Sequence, residues 1–228
     1  MKHLYIIVEG ETELEFIKRL LIPYFNNKGI TTHVQAIAIS IKGGGHGYNN
    51  IEHFKNTIEP LLNYKNEPII TTMIDYFGIN SEKKMPNYNV YMQKNGTDVR
   101  IACMEQELNN QVQSIKPYQY FIPHIQKHEL ETLLFVNPKY GFDLEDEKIK
   151  NDVIVLANKY DNIEEINSSP EGAPSKRLSA IYEKHGRKHS KGADAIDIVE
   201  LIGFDNVLTK CSHFKSWIDK LENALLAF

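Results

Sequence analysis

Two short apolar runs, each closed by an acid, constrain this chain more than anything else in it: Leu4-Tyr5-Ile6-Ile7-Val8 followed by Glu9, and Ile69-Ile70-Thr71-Thr72-Met73-Ile74 followed by Asp75. An unbroken apolar or β-branched run of this length is the pattern of a strand buried on both faces, the situation of parallel strands in α/β proteins. The intervening chain alternates as such a sheet requires. Glu11 to Asn27 places Leu14, Ile17, Leu20, Leu21 and Tyr24 at helical spacing, His33 to Ile41 alternates as a second strand, and Ile51 to Leu62 reads as a helix. Tyr76 to Asn95 is polar and rich in turn formers, so a long loop is expected, followed by a helix over Val99 to Ile115 and a fourth strand over Tyr118 to Ile125.

Past about Gly141 the strand pattern stops, and Lys148–Tyr160, Ser175–His185, Ala193–Ile202 and Phe214–Leu225 all read as helices. The expected architecture is therefore an α/β domain over residues 1–140, with a mostly parallel sheet flanked by helices, and a helical C-terminal subdomain over 141–228. With 228 residues, 42% of them apolar, the chain is long enough to bury a core. No apolar run reaches membrane-spanning length, and the apolar start at Leu4 to Val8 is too short for a signal peptide, so a cytoplasmic protein with no membrane partner is expected. Cys103 and Cys211 have neither CxxC nor Cys/His spacing, which argues against a disulfide framework and a structural zinc site.

The formal net charge of −4 excludes the bulk basicity of many nucleic-acid-binding domains. Charge is uneven, however. Asp143, Glu145, Asp146 and Glu147 form an acidic stretch, while Lys176, Arg177, Lys184, Arg187, Lys188 and Lys191 cluster later, with His185 and His189 among them. A local basic face of that kind binds phosphate even on a mildly acidic protein.

The strongest chemical signal is Val8-Glu9-Gly10-Glu11-Thr12-Glu13, where a buried strand turns into a helix. Ligand sites of open α/β sheets lie at the carboxyl ends of strands, and Gly10 permits a tight turn behind Glu9. Glu11 and Glu13 are expected mainly to complement the dipole of the helix they begin. If the sheet is parallel and their strands are neighbours, Asp75 and Glu9 emerge on one edge, and oxygen-only sets of that kind suit Mg²⁺ or Mn²⁺. A third acidic element is His128-Glu129-Leu130-Glu131. It is not the HExxH of zinc proteases, because Thr132 stands where the second histidine belongs. If this segment is helical, Glu129 and Glu131 cannot share a face; if extended, they point the same way. Pro174-Ser175 suits a helix start, and Lys176 and Arg177 beside it are candidate phosphate contacts. Lys42-Gly43-Gly44-Gly45-His46-Gly47 lacks the form of a nucleotide-binding P-loop.

Taken together, Val8 to Glu13, Ile74-Asp75-Tyr76-Phe77-Gly78, His128 to Phe135, Ala173 to Leu178 and Cys211-Ser212-His213-Phe214-Lys215-Ser216-Trp217 resemble the bacterial domain-of-unknown-function family 4276 over nearly the whole chain. That family is similar to Toprim domains, the fold shared by topoisomerases, primases and OLD-type nucleases. The resemblance implies a Toprim-like site with Glu9 as a general acid or base, Asp75 as the start of the metal-binding aspartate motif, and Glu129 or Glu131 as further ligands of Mg²⁺ or Mn²⁺. It implies a metal-dependent nuclease that hydrolyses phosphodiesters of DNA or RNA, in the setting of phage defence. One departure stands out: Toprim domains usually carry Asp-x-Asp, and here Phe77 occupies the third position. The alternative it opens is a non-catalytic Toprim-like module that binds nucleic acid or a partner and works beside a separate ATPase of the ABC or SMC-like type.

Overall fold

The computed structural model describes residues 2–41, 44–166, 172–189 and 192–228. Leu4–Val8 forms strand β1, buried along its whole length. It lies inside the sheet because both of its neighbours run parallel to it: Val34–Ala38 (β2) on one side and Ile69–Asp75 (β3) on the other, with Val8 opposite both Ala38 and Met73. The order is β2-β1-β3-β4, and every pairing is parallel. The chain is thus an α/β protein with a mostly parallel sheet flanked by helices.

Between β1 and β2 the chain is continuously helical from Glu11 to Asn27, as Glu11–Phe16 (α1), a π-helical segment Ile17–Leu21, and Ile22–Asn27 (α2). Pro23 has no N–H to return to the preceding turn and its ring crowds that turn's carbonyl, and the wider π turn just before it relieves the conflict. Ile51–Leu62 (α3), short Tyr88–Met92 (α4) and Thr97–Ile115 (α5) follow, with Asn50 capping α3 by accepting the His53 N–H. One face of the sheet, carrying Tyr5, Ile7, Ile70 and Ile74, packs on Phe54, Ile58 and Leu61 of α3 and on Ile101, Met104 and Leu108 of α5. Leu4, Ile6 and Val8 alternate to the other face and are equally buried.

The fourth strand differs from its expectation. Instead of one run over 118–125 there are two two-residue pieces, Phe121–Ile122 (β4) and Ile125–Gln126 (β5), both paired with β3. Pro123 cannot donate to a ladder, and the Thr72 hydroxyl substitutes across the gap, accepting the His124 N–H and donating to the His124 carbonyl, each at 2.8 Å.

The chain divides into two compact units, residues 1–126 with 217–228, and residues 127–216. In the first, Trp217 is buried, donates its indole N–H to Thr71 Oγ1 at 2.8 Å, and stacks on His124 with ring centroids 4.4 Å apart. The second is helical: a 3₁₀ turn Leu130–Phe135, Pro138–Gly141 (α6), Glu147–Ala157 (α7), a 3₁₀ turn Ile163–Glu165, Pro174–Lys184 (α8), Ala193–Ile202 (α9), Phe204–Lys210 (α10) and the start of Ser212–Leu226 (α11). Gly141 lets α6 approach α9 closely, since a Cβ there would lie 2.9 Å from the side chains of Ile198 and Ile202. Among the described residues, no helix is long and apolar enough to cross a membrane.

Candidate metal centre

Because β1 and β3 are parallel neighbours in register, their carboxyl ends deliver Glu9 and Asp75 to the same sheet edge. The Glu9 carboxylate turns back onto β3, and its Oε1 accepts the Asp75 backbone N–H at 3.0 Å. A 3₁₀ turn, Tyr76–Gly78, then brings Gly78 against the same carboxylate, so that a Cβ on residue 78 would lie 2.7 Å from Oε1 and 3.2 Å from Oε2. Glu9 is therefore set between two pieces of backbone while remaining half-buried, and Asp75 is half-buried beside it.

Glu13 joins this corner. Its Oε2 accepts the Gly10 N–H at 3.0 Å, the helix-start role expected of a first-turn acid, while Glu11 is exposed. Burial pushes the Glu13 carboxyl above its ordinary range. Glu9 is pushed up to about 7, first by burial and then by the charge of Glu13; the Asp75 amide and the nearby Lys84 oppose the rise without cancelling it.

Lys84 and Tyr48 complete the surroundings. The Lys84 ammonium donates to the Gly78 carbonyl at 2.6 Å, and the buried Tyr48 hydroxyl donates to the Lys84 carbonyl. Burial, followed by the charge of Glu9, drives the Tyr48 phenol upward. Sequence reasoning did not single out Lys84, Tyr48 or a direct link of Glu13 to Glu9. Lys84 falls in a stretch whose only pattern was turn formers, and Tyr48 follows a glycine-rich loop with no motif attached.

A second acidic pairing in the first unit also escaped notice. Glu105 on α5 places Oε1 3.7 Å from His124 Nδ1 and accepts the Ile125 N–H at 2.9 Å. An acid beside an imidazole is a pair of metal-ligand type.

The other candidates belong to the second unit. Glu129 is extended, immediately before the 3₁₀ turn, and Glu131 lies half-buried in the first turn. The Glu129 Oε2 accepts the Ser175 N–H at 3.1 Å, so a carboxylate already occupies the helix-terminal amide at which a phosphate was expected. Lys176 is exposed, while Arg177 donates from Nε to the Gly172 carbonyl at 2.7 Å and lies 5.9 Å from the Tyr160 ring. Upstream of Glu129, buried Lys127 pairs with Glu165, and His128 is buried with a left-handed φ of 66°. Much of the basic cluster is occupied: Lys184 and His185 both bond Asp152, at 2.6 and 2.8 Å, and Arg187 bonds Glu145 at 3.0 Å. Lys42 and Lys191 lie outside the described residues. The structure thus brings Glu9 and Asp75 together in the first unit, and Glu129 to the helix that carries Lys176 and Arg177 in the second.

The model of a family described as "Domain of unknown function (DUF4276)" matches residues 8–222. No curated protein and no solved structure matches the chain.

Proposed function

We propose that this chain, which belongs to the DUF4276 family, is a metal-dependent phosphodiester hydrolase whose Mg²⁺ or Mn²⁺ is held by Glu9 and Asp75. The observation that carries this reading is the Glu9 carboxylate fixed on the Asp75 amide at the carboxyl edge of two parallel strands, with its proton affinity raised to about 7. The donor set fits the ion. Carboxylate oxygens are the donors such an ion prefers, and burial disfavours the charged forms of Glu9 and Glu13, a cost that a hard cation would relieve. The likeness to Toprim domains is part of the same proposal and is supported by the placement of an acid behind β1 and another at the end of adjoining β3.

Bound there, the ion would polarise a phosphodiester and make an attacking water more acidic. Glu9 would accept that water's proton and return one to the leaving oxygen. Asp75 would serve as ligand. In the second unit the proposal assigns Glu129 and Glu131 as additional acids and Lys176 and Arg177 as phosphate contacts, supported locally by the exposure of Lys176. DNA or RNA is the proposed substrate, and defence against phage the proposed setting.

The test is Mn²⁺ titration by calorimetry, followed by incubation with plasmid DNA and total RNA. Loss of cleavage in a folded Glu9→Gln variant supports the reading, whereas undiminished cleavage in that variant or in EDTA defeats it.

A second reading has one specific observation behind it. Phe77, standing where Toprim domains usually carry an acid, meets Tyr76 in a tilted ring pair with centroids 5.6 Å apart and packs against the hydrophobic core, so it supplies no ligand. A recognition module that works beside a separate ABC or SMC-like ATPase would bind nucleic acid without metal, cut nothing, and co-purify with that ATPase.

A further inference from the structure

We propose that Lys84 is the substrate-facing cation of the Glu9 site, its ammonium meeting a non-bridging oxygen of the nucleic-acid backbone. The inference rests on the hydrolase reading for its substrate class and on the geometry of residues 78–84 for everything else.

Three bonds fix where Lys84 stands. Its N–H donates to the Ser81 carbonyl at 3.0 Å, its own carbonyl accepts the buried Tyr48 hydroxyl, and its ammonium donates to the Gly78 carbonyl at 2.6 Å. Gly78 is the residue in contact with the Glu9 carboxylate, so the ammonium is tied to the wall of the acidic corner rather than left to sweep the surface.

What it bonds to matters as much as where it is. Lys184 and Arg187 are bonded to carboxylates and have spent much of their charge. The hydrogen-bond partner of the Lys84 ammonium is the neutral Gly78 carbonyl, which takes one of its three protons, while the Glu9 carboxylate meets its charge through space rather than by a bond. Lys84 is half-buried, and the Gly78 bond leaves two of its ammonium protons for a ligand. A cation held beside acids without pairing to them disfavours a second divalent ion and favours an anion that approaches the first. A phosphodiester is such an anion, and a lysine meets it as a point charge.

The rival account is that Lys84 only pins the turn. Two substitutions separate the accounts: Lys84→Gln keeps a donor for the Gly78 carbonyl without charge, and Lys84→Arg keeps the charge. The probe is a short fluorescein-labelled single-stranded oligonucleotide, its binding followed by anisotropy without metal over a range of salt concentrations, with Mn²⁺ affinity measured separately by calorimetry. In Lys84→Gln the oligonucleotide should bind more weakly and the slope of log K against log salt should shrink by about 1, while Mn²⁺ affinity is retained or improved; Lys84→Arg should preserve the slope. Equal binding and slope in Lys84→Gln, loss of Mn²⁺ binding along with them, or no oligonucleotide binding by the wild type would each overturn the inference. Binding that depends on Lys84 in a protein that cuts nothing would instead defeat the hydrolase reading and leave Lys84 as a nucleic-acid contact.

Discussion

Glu9 and Gly78 touch at the end of the sheet: a Cβ at position 78 would stand 2.7 Å from Glu9 Oε1. Gly78→Ala must therefore move something, and the obstacle is the free end of a side chain rather than backbone. The expected outcome is a near-normal melting temperature with Mn²⁺ affinity reduced about 10–100-fold, the range typical when a ligand's support is disturbed. Paired thermal melts and calorimetry check it; unchanged affinity would remove Glu9 from the metal centre.

The raised proton affinity of Glu9 has a definite sign in stability. Its carboxyl is held at about 7 in the fold against an ordinary value of 4.5, so the folded state retains a proton that the unfolded state releases. The resulting stabilisation is full below the unfolded value and disappears as pH rises through about 7. Metal-free protein should lose on the order of 2 kcal/mol between pH 4.5 and 8, once solvent screening of the half-buried group is counted. Glu9→Gln, with no charge to bury, should flatten that fall in EDTA and be the more stable protein at pH 8. Parallel melts of the two proteins across this pH range decide it.

Thr71 Oγ1, buried in the first unit, is shared between the Trp217 indole N–H at 2.8 Å and the carbonyl of half-buried Ile122 at 2.5 Å. Thr71→Val keeps the volume and strands both partners, which should cost about 2 kcal/mol. Urea unfolding followed by the fluorescence of Trp217, the chain's one tryptophan, measures it directly. Mn²⁺ affinity should be unchanged.

Glu164 is wholly buried, yet its carboxylate accepts three donors from the start of α11: Ser212 Oγ at 3.2 Å, the His213 N–H at 2.9 Å and the Phe214 N–H at 3.1 Å. It caps that helix from outside its own sequence. Glu164→Ala should cost about 3 kcal/mol, whereas Glu164→Gln, which retains an acceptor, should cost less. Denaturant midpoints of the two variants test the order.

The strands were legible because buried parallel strands leave an apolar run that few other structures need: Leu4–Val8 emerged with the limits read from its sequence, and β3 closed on Asp75. The helix over 51–62 was equally plain from its spacing. The break at Pro123 was not, because the Thr72 hydroxyl that bridges it lies on another strand. The acidic corner shows the same limit. Glu9 and Asp75 could be paired from strand ends alone, but Lys84 reaches Glu9 only through a turn over Gly78, and Tyr48 only through the Lys84 carbonyl. Glu129 was visible as an acid near a promising histidine, while its bond to the Ser175 amide, which makes it a helix cap, depends on a contact 46 residues away.

The first unit draws its last segment from beyond the second. Thr71 and His124 are synthesised well before the tryptophan that covers them, and all of residues 127–216 must leave the ribosome in between. At about 5–20 residues per second that interval is several seconds, long beside the folding of a small helical unit. During translation the helical insert therefore has time to form before Trp217 arrives to cover the strand face.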